Sequence, residues 1–209
     1  NLRETRRVEE LKASGGFAET SIWAIWRTPH RRRIVQLGLI WMFTFACSNT
    51  AISFWKDFAI TERGWTDTDV AVALTIAAIG SMPLLFFSGK LLDIIGRRRG
   101  AVIIFLATSV SVWGCYTFED RAWIIAALTL SVFAVSAVLP VLNAFTTELF
   151  PTEVRGVAFA WSNNLIGRLG YVLAPVGIGF AAEIWSWGTA VSATAVFPII
   201  ALILILIWL

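Results

Sequence analysis

The run Gly89-Lys90-Leu91-Leu92-Asp93-Ile94-Ile95-Gly96-Arg97-Arg98-Arg99 closes one long apolar segment and opens the next. Gly89 leaves room for close helix approach. Asp93 places a carboxylate where a helix leaves an apolar medium, and Gly96 permits a tight turn. Arg97, Arg98 and Arg99 supply cations for phosphates, helix C-termini or carboxylates across a gap. A generic basic flank beside a membrane helix explains the arginines. It does not explain Gly, Asp and Gly at these spacings.

Outward from this turn the chain is apolar on both sides. Of its 209 residues 57% are hydrophobic and 15% charged, against roughly 45–50% and 25% in soluble domains. So much apolar surface cannot be hidden in one small soluble core, and lipid is its natural solvent. A membrane-crossing helix needs ~20 mainly apolar residues. Six segments qualify: 34–55, 70–92, 101–118, 123–145, 157–182 and 189–209. They are too long and too evenly apolar for barrel strands, which alternate over ~10 residues. The expectation is an all-α membrane protein: a linker over residues 1–33 and a six-helix bundle over residues 34–209.

The links between segments are short and polar, and their charges give the orientation. One side collects the basic residues of 1–33 with Lys90, Arg97, Arg98, Arg99 and Arg155, while the other holds Lys56, Arg63 and Arg121. Lys and Arg concentrate on the cytoplasmic side of membrane proteins. The linker, the Gly96 turn, the Glu148–Arg155 loop and the Leu209 end are therefore expected there. A serpentine of six helices needs this alternation, so charge and helix count agree. The first three helices then run opposite to the last three, as in transporters built from two inverted three-helix repeats; the two units are not visibly alike in sequence. The chain opens on Asn1 and ends inside an apolar run, so it is expected to be part of a longer protein, and 1–33 shows no signal-peptide pattern. Residues 2–13 can form a short cytoplasmic helix. Residues 17–27, with Phe17, Ile22, Trp23, Ile25 and Trp26 beside a basic run, read either as an amphipathic helix in the headgroup layer or as a juxtamembrane linker with aromatic anchors. His30, inside His30-Arg31-Arg32-Arg33, is expected to be solvated and near lipid headgroups.

A second motif lies between the fourth and fifth segments: Glu148-Leu149-Phe150-Pro151-Thr152-Glu153-Val154-Arg155-Gly156. Pro151 stops one helix and suits the start of another. Glu148 and Arg155, at the two ends of one loop, can pair across it. The first motif resembles the signature loop of the major facilitator superfamily, with Gly89, Leu91, Asp93, Gly96, Arg97 and Arg98 matching and Ile94 standing where a basic residue is common. The second resembles the corresponding loop of sugar porters and metabolite–proton symporters through Glu148, Phe150, Pro151, Thr152, Arg155 and Gly156. Trp26-Arg27-Thr28-Pro29 and the basic run after it look like the entry to the seventh helix in those families. The resemblance implies the C-terminal half of a twelve-helix bundle, with the N-terminal six-helix half as partner. It also implies that Gly89, Asp93, Gly96, Arg97, Arg98, Glu148 and Arg155 belong to a cytoplasmic gate.

Arg168 lies near the middle of the fifth segment, where a charge costs ~2.5 kcal/mol or more and is a functional hypothesis by default. At α-helical spacing Asn164, Arg168, Tyr171 and Pro175 share one face. The partner of Arg168 is expected in the other half of the protein, as a fixed ion pair, or in an anionic substrate. Gly167-Arg168-Leu169-Gly170 fits the G-R-x-G that metabolite symporters often carry there. In the superfamily the first and fourth helices of this half line the central cavity. That implies roles for Trp41, Phe45, Ser48 and Asn49, and for Ser136, Pro140 and Asn143. Polar side chains between membrane helices also serve simply as glue. Pro140 frees backbone groups and is expected to bend its helix. Cys47 and Cys115, both in apolar runs, are expected to be packing residues.

The function expected is secondary transport of a small solute (an organic acid, a sugar or a related metabolite) by alternating access, coupled to an ion gradient and most simply to protons. No Walker-type phosphate loop is present. Asp57 is too peripheral to relay protons. The alternative is a non-transporting receptor or scaffold on the same fold. An enzyme is not expected, because no acid–base, nucleophile or metal constellation sits in the apolar segments. Neither a cofactor nor nucleic acid is expected, since every basic run abuts a membrane helix. The membrane would be a bacterial inner membrane or a plasma membrane.

Overall fold

The computed structural model of the protein describes residues 22–209, except the side chains of Leu91, Leu92 and Asp93. The readings made for residues 1–21, and for the carboxylate of Asp93, lie outside the described residues. Among the described residues six helices are long and apolar enough to cross a membrane. The first span is α1 (Arg31–Ser53). It is followed by the short α2 (Trp55–Thr61), a helix the sequence reading treated as a link. The second span is α3 (Asp67–Ile95), the third α4 (Arg97–Thr117) and the fourth α5 (Arg121–Leu149). The fifth span, Thr152–Ile184, consists of α6 (Thr152–Phe159), a π-helix (Ala160–Gly167) and α7 (Leu169–Ile184). The sixth, Trp187–Trp208, consists of α8 (Trp187–Ser192), one 3-10 turn (Ala193–Ala195) and α9 (Val196–Trp208).

The helices reach further into the charged links than hydropathy indicates, because their ends are capped. Asp120 accepts hydrogen bonds from the Ala122 and Trp123 backbone N–H groups at 2.9 and 3.2 Å, which starts α5 at Arg121. Ser186 does the same for α8 through the Thr189 N–H at 3.2 Å. Between α3 and α4 only Gly96 remains outside a helix, at φ +87, a left-handed value that glycine adopts without a Cβ penalty. Pro140 sits inside α5, whose helix continues through it to Leu149; Pro83 does the same in α3.

The packing order follows the periodicity of the apolar residues. The fifth span and α9 lie against α1, α9 also packs on α4, α4 on α5, and α5 on α3. One apolar cluster, built on Ile34, Leu37, Trp41, Phe105, Leu142, Phe150 and Leu202, fills the end of the bundle nearest the arginine runs, here the basic end. A second, built on Trp55, Phe58, Trp65, Tyr116, Leu128 and Val191, fills the opposite end. Buried hydroxyls between spans donate to carbonyls: Ser109 to Ala195 at 2.5 Å and Tyr116 to Ala51 at 2.7 Å. Cys47 and Cys115 are buried free thiols. At the opposite end Lys56 pairs with Asp67 at 2.8 Å, a contact that pushes its ammonium pKa up. Arg121 pairs with Asp69 at 3.1 Å and lies over the Trp65 ring.

The middle span of each three-helix unit is the least buried. Only 22% of the second span and 17% of the fifth lie inside the bundle, against 44–61% of the other four. The same profile thus repeats in both units, as an inverted repeat requires.

Candidate functional site

The two loop motifs meet at the basic end. Arg97 Nε donates to Glu148 Oε1 at 2.7 Å. This corrects the expected Glu148–Arg155 pair. Arg155 instead turns back on its own loop and donates to the Phe150 carbonyl at 3.3 Å. Extension of α5 to Leu149 carries Glu148 out on a helix end toward the start of α4, so it reaches the neighbouring loop. Arg98 donates to the Leu206 carbonyl at 2.8 Å, and Arg33 to the Leu149 carbonyl at 3.2 Å. Both satisfy carbonyls in the last turn of a helix, where the dipole favours a cation. A Cβ on Gly89 would meet nothing within 4 Å, so among the described residues no helix approaches it closely. His30 is part-exposed at the basic end, with its ring edge-on to Phe150 at 6.0 Å.

The middle of the fifth span departs from an α-helix. From Ala160 to Gly167 its hydrogen bonds close i→i+5, which places more residues in each turn and breaks the α-helical phase. The expected common face of Asn164, Arg168, Tyr171 and Pro175 is therefore not kept. Asn164 and Arg168 are exposed on the outside of this half-bundle, with Ser162, Asn163 and Gly167 buried behind them. Tyr171 instead stacks on Phe45 with ring centroids 4.5 Å apart. Arg168 lies sixteen residues beyond Thr152 in a 33-residue span, so it sits at mid-depth. Among the described residues no carboxylate pairs with it.

Glycines fix the end of this segment against α1. A Cβ on Gly167 would come 2.7 Å from Trp41 Cβ, and one on Gly170 would overlap the Met42 carbonyl oxygen. From the other side, a Cβ on Gly38 would meet Ile166 at 2.8 Å. At the start of the segment Trp161 donates its indole N–H to the Ile22 carbonyl at 2.8 Å, and the Trp23 and Trp26 rings lie edge-on to it at 4.9 and 5.0 Å. Residues 24–27 form a 3-10 turn with Ile25 buried, so this part of the 17–27 stretch docks on the fifth span. Trp161 carried no signal in the sequence beyond being one more membrane-span tryptophan.

The other expected site residues stand at different depths. Asn143, six residues before Leu149 and so ~9 Å from that helix end, lines a pocket of about 510 Å³ at the basic end with Thr146, Thr152, Arg155 and Gly156. Asn49 is half-buried, four residues before the opposite end of α1. Trp41 and Phe45, expected at a cavity wall, are 1% and 5% exposed and pack inside the bundle. The bundle thus brings Asn143 together with Arg155, while Asn164 and Arg168 are each exposed on the fifth span and Asn49 stands near the far end of α1. Among the described residues no three His, Cys, Asp or Glu side chains come together as metal ligands.

Six membrane-length helices, an inverted-repeat burial profile and two linked basic-end loops define a membrane-transport architecture. The chain matches the family model of the Major Facilitator Superfamily over residues 13–209. It belongs to that family and is a multi-pass integral membrane protein. It is similar to the protein of Bacillus subtilis strain 168 named "Putative niacin/nicotinamide transporter NiaP", 22% identical over 208 residues, covering 99% of this chain and 52% of NiaP. It is 30% identical over 118 residues to the inner membrane metabolite transport protein YhjE of Escherichia coli K12, covering 54% of this chain and 26% of that one. Over 96 residues it is 28% identical to solute carrier family 22 member 16 of Bos taurus, covering 45% and 16%. The chain spans about half the length of NiaP, and the matched parts are smaller shares of the other two.

Proposed function

We propose that the chain is the C-terminal half of a proton-coupled secondary transporter for a small metabolite, working by alternating access. The observation that carries this reading is Arg168: a guanidinium at mid-depth of a membrane span, exposed on the outside of the half-bundle and held in place by a π-helix and two glycine contacts. Desolvating such a charge is costly unless an anion, water or a carbonyl answers it. An N-terminal six-helix half, laid against the poorly buried second and fifth spans, would enclose Arg168 at their interface. There Arg168 can hold a carboxylate through two parallel hydrogen bonds. An organic acid suits that geometry; the name of NiaP pairs one such acid, niacin, with a neutral amide, nicotinamide. A sugar or related polar metabolite, held by Asn164 and Asn49, is the remaining substrate class.

In this reading residues 1–33 are the cytoplasmic linker between the halves, and the basic end faces the cytoplasm. The Arg97–Glu148 pair, with Asp93, Arg98 and Arg155, belongs to a latch that holds one state of the cytoplasmic gate. The membrane is a bacterial inner or plasma membrane.

The test is uptake into proteoliposomes by the full-length protein, with an imposed inward proton gradient and radiolabelled nicotinate, a neutral amide and a hexose offered in turn. Accumulation of one of them above equilibrium, abolished by a protonophore, is the expected result. Equal, gradient-independent entry with and without protein would overturn the reading.

A further inference from the structure

The fifth span is anchored twice, on either side of its π-helix. Beyond it, Gly167 and Gly170 seat the chain on α1 through approaches that a Cβ would block. Before it, α6 has no such seat. It rests on α5 and on the linker turn at residues 24–27, with Phe159 edge-on to Trp41 at 6.3 Å. The linker contact falls on Trp161, the second residue of the π-helix. Its indole N–H donates to the Ile22 carbonyl at 2.8 Å, and the Trp23 and Trp26 rings close on it edge-on. The turn itself is well formed. Ile25 is buried in the basic-end cluster, and Thr28 donates its hydroxyl to the Ile25 carbonyl at 2.6 Å.

A π-helix inside a longer helix is a place where the helix bends. We infer that the linker turn is a releasable strap. Docked on Trp161 it holds α6 in line, and released it lets α6 swing about the π-helix while α7 stays seated on α1. Docking buries the Trp26 indole N–H with no acceptor among the described residues. A buried donor left unanswered opposes docking, so the strap is poised for release and not locked. A swing of α6 carries Arg155 and Gly156 past Asn143 and reshapes the pocket at the basic end. Arg155 is lightly held: its guanidinium donates to the Phe150 carbonyl, and its Nε is buried without a partner among the described residues. That this pocket belongs to a cytoplasmic gate rests on the proposed function; the strap does not.

The test is a distance measurement that needs no solute. Full-length protein, freed of native cysteines, is spin-labelled at Arg99→Cys and Glu153→Cys, both exposed at the basic end. A second sample is labelled at Trp123→Cys and Ile184→Cys, both exposed at the other end. Double electron–electron resonance then reads each distance. Glu153 lies eight residues before Trp161, or ~12 Å along the axis, so a bend of about 20° at the joint moves it by ~4 Å. Trp23→Ala with Trp26→Ala changes only the linker, and Trp161→Phe removes the indole donor but keeps an aromatic ring. Each should shift or broaden the 99–153 distance on that scale and leave 123–184 as in wild type. Trp113→Phe, at an exposed tryptophan of α4, should leave both distances unchanged. A wild-type 99–153 distribution in either strap variant overturns the inference. So does a 123–184 shift alongside it, which marks loosening of the whole bundle. Should Trp161→Phe fail to fold by circular dichroism, the linker exchange decides alone. Neither distance depends on transport, so a failed uptake assay and a failed strap are told apart.

Discussion

At the scale of the residue, Arg168 separates two roles for one charge. If it grips a carboxylate on the substrate, Arg168→Lys keeps the charge but loses the planar fork. The expected outcome is a raised apparent KM with protein yield and thermal stability within error of wild type. A fixed ion pair to the other half would lower yield and stability in both Arg168→Lys and Arg168→Ala, and uptake assays beside thermal melts distinguish the cases. The Arg97–Glu148 pair invites a different comparison. Both side chains are about half exposed, so the pair is worth only ~0.2–1 kcal/mol of stability. Glu148→Gln should therefore leave the melting temperature nearly unchanged while altering transport rate. The double exchange Arg97→Glu with Glu148→Arg should recover part of the rate. A fall in stability of several kcal/mol for Glu148→Gln, with rate constants unaffected, would remove the pair from the gate.

At the scale of the element, most of the fold was legible. Twenty-residue apolar runs, charge-marked links and Pro151 located all six spans. The ends were misjudged by a few residues because hydropathy is blind to capping, which Asp120 and Ser186 supply. The π-helix was not legible at all. Ala160-Trp161-Ser162-Asn163-Asn164-Leu165-Ile166-Gly167 has no breaker before Gly167, and its phase is set by what α1 presents to it. Candidate site residues were picked one by one, from polarity in apolar context, whereas their grouping depends on that phase. Two predictions follow from the interlock. Gly170→Ala puts a methyl onto the Met42 carbonyl, which is backbone and cannot rotate away. A destabilisation of about 1–3 kcal/mol is expected, readable as a lowered melting temperature. Deleting Leu165 should return the segment to α-helical phase and turn Arg168 away from its exposed position. The bundle should still insert, and solute uptake should be lost.

At the scale of the whole molecule, the middle span of each three-helix unit is the barest, and in the proposed reading these two spans are the surface on which an N-terminal half would lie. Orientation is testable at once. In full-length protein with Cys47 and Cys115 replaced by alanine, Arg98→Cys should resist an impermeant maleimide applied outside intact cells and react after permeabilisation. Rapid labelling in intact cells would invert the topology. The central claim, that the Arg168 face borders a path opened to each side in turn, is tested most directly one position class away, at Asn164. Asn164→Cys is placed in the same cysteine-free background and exposed to an impermeant methanethiosulfonate reagent from either face of right-side-out and inside-out vesicles. Alternating access predicts reaction from both faces, slowed in each case by the transported solute. A cysteine at 164 that reacts from neither face, in a protein that still folds and inserts, would contradict the account.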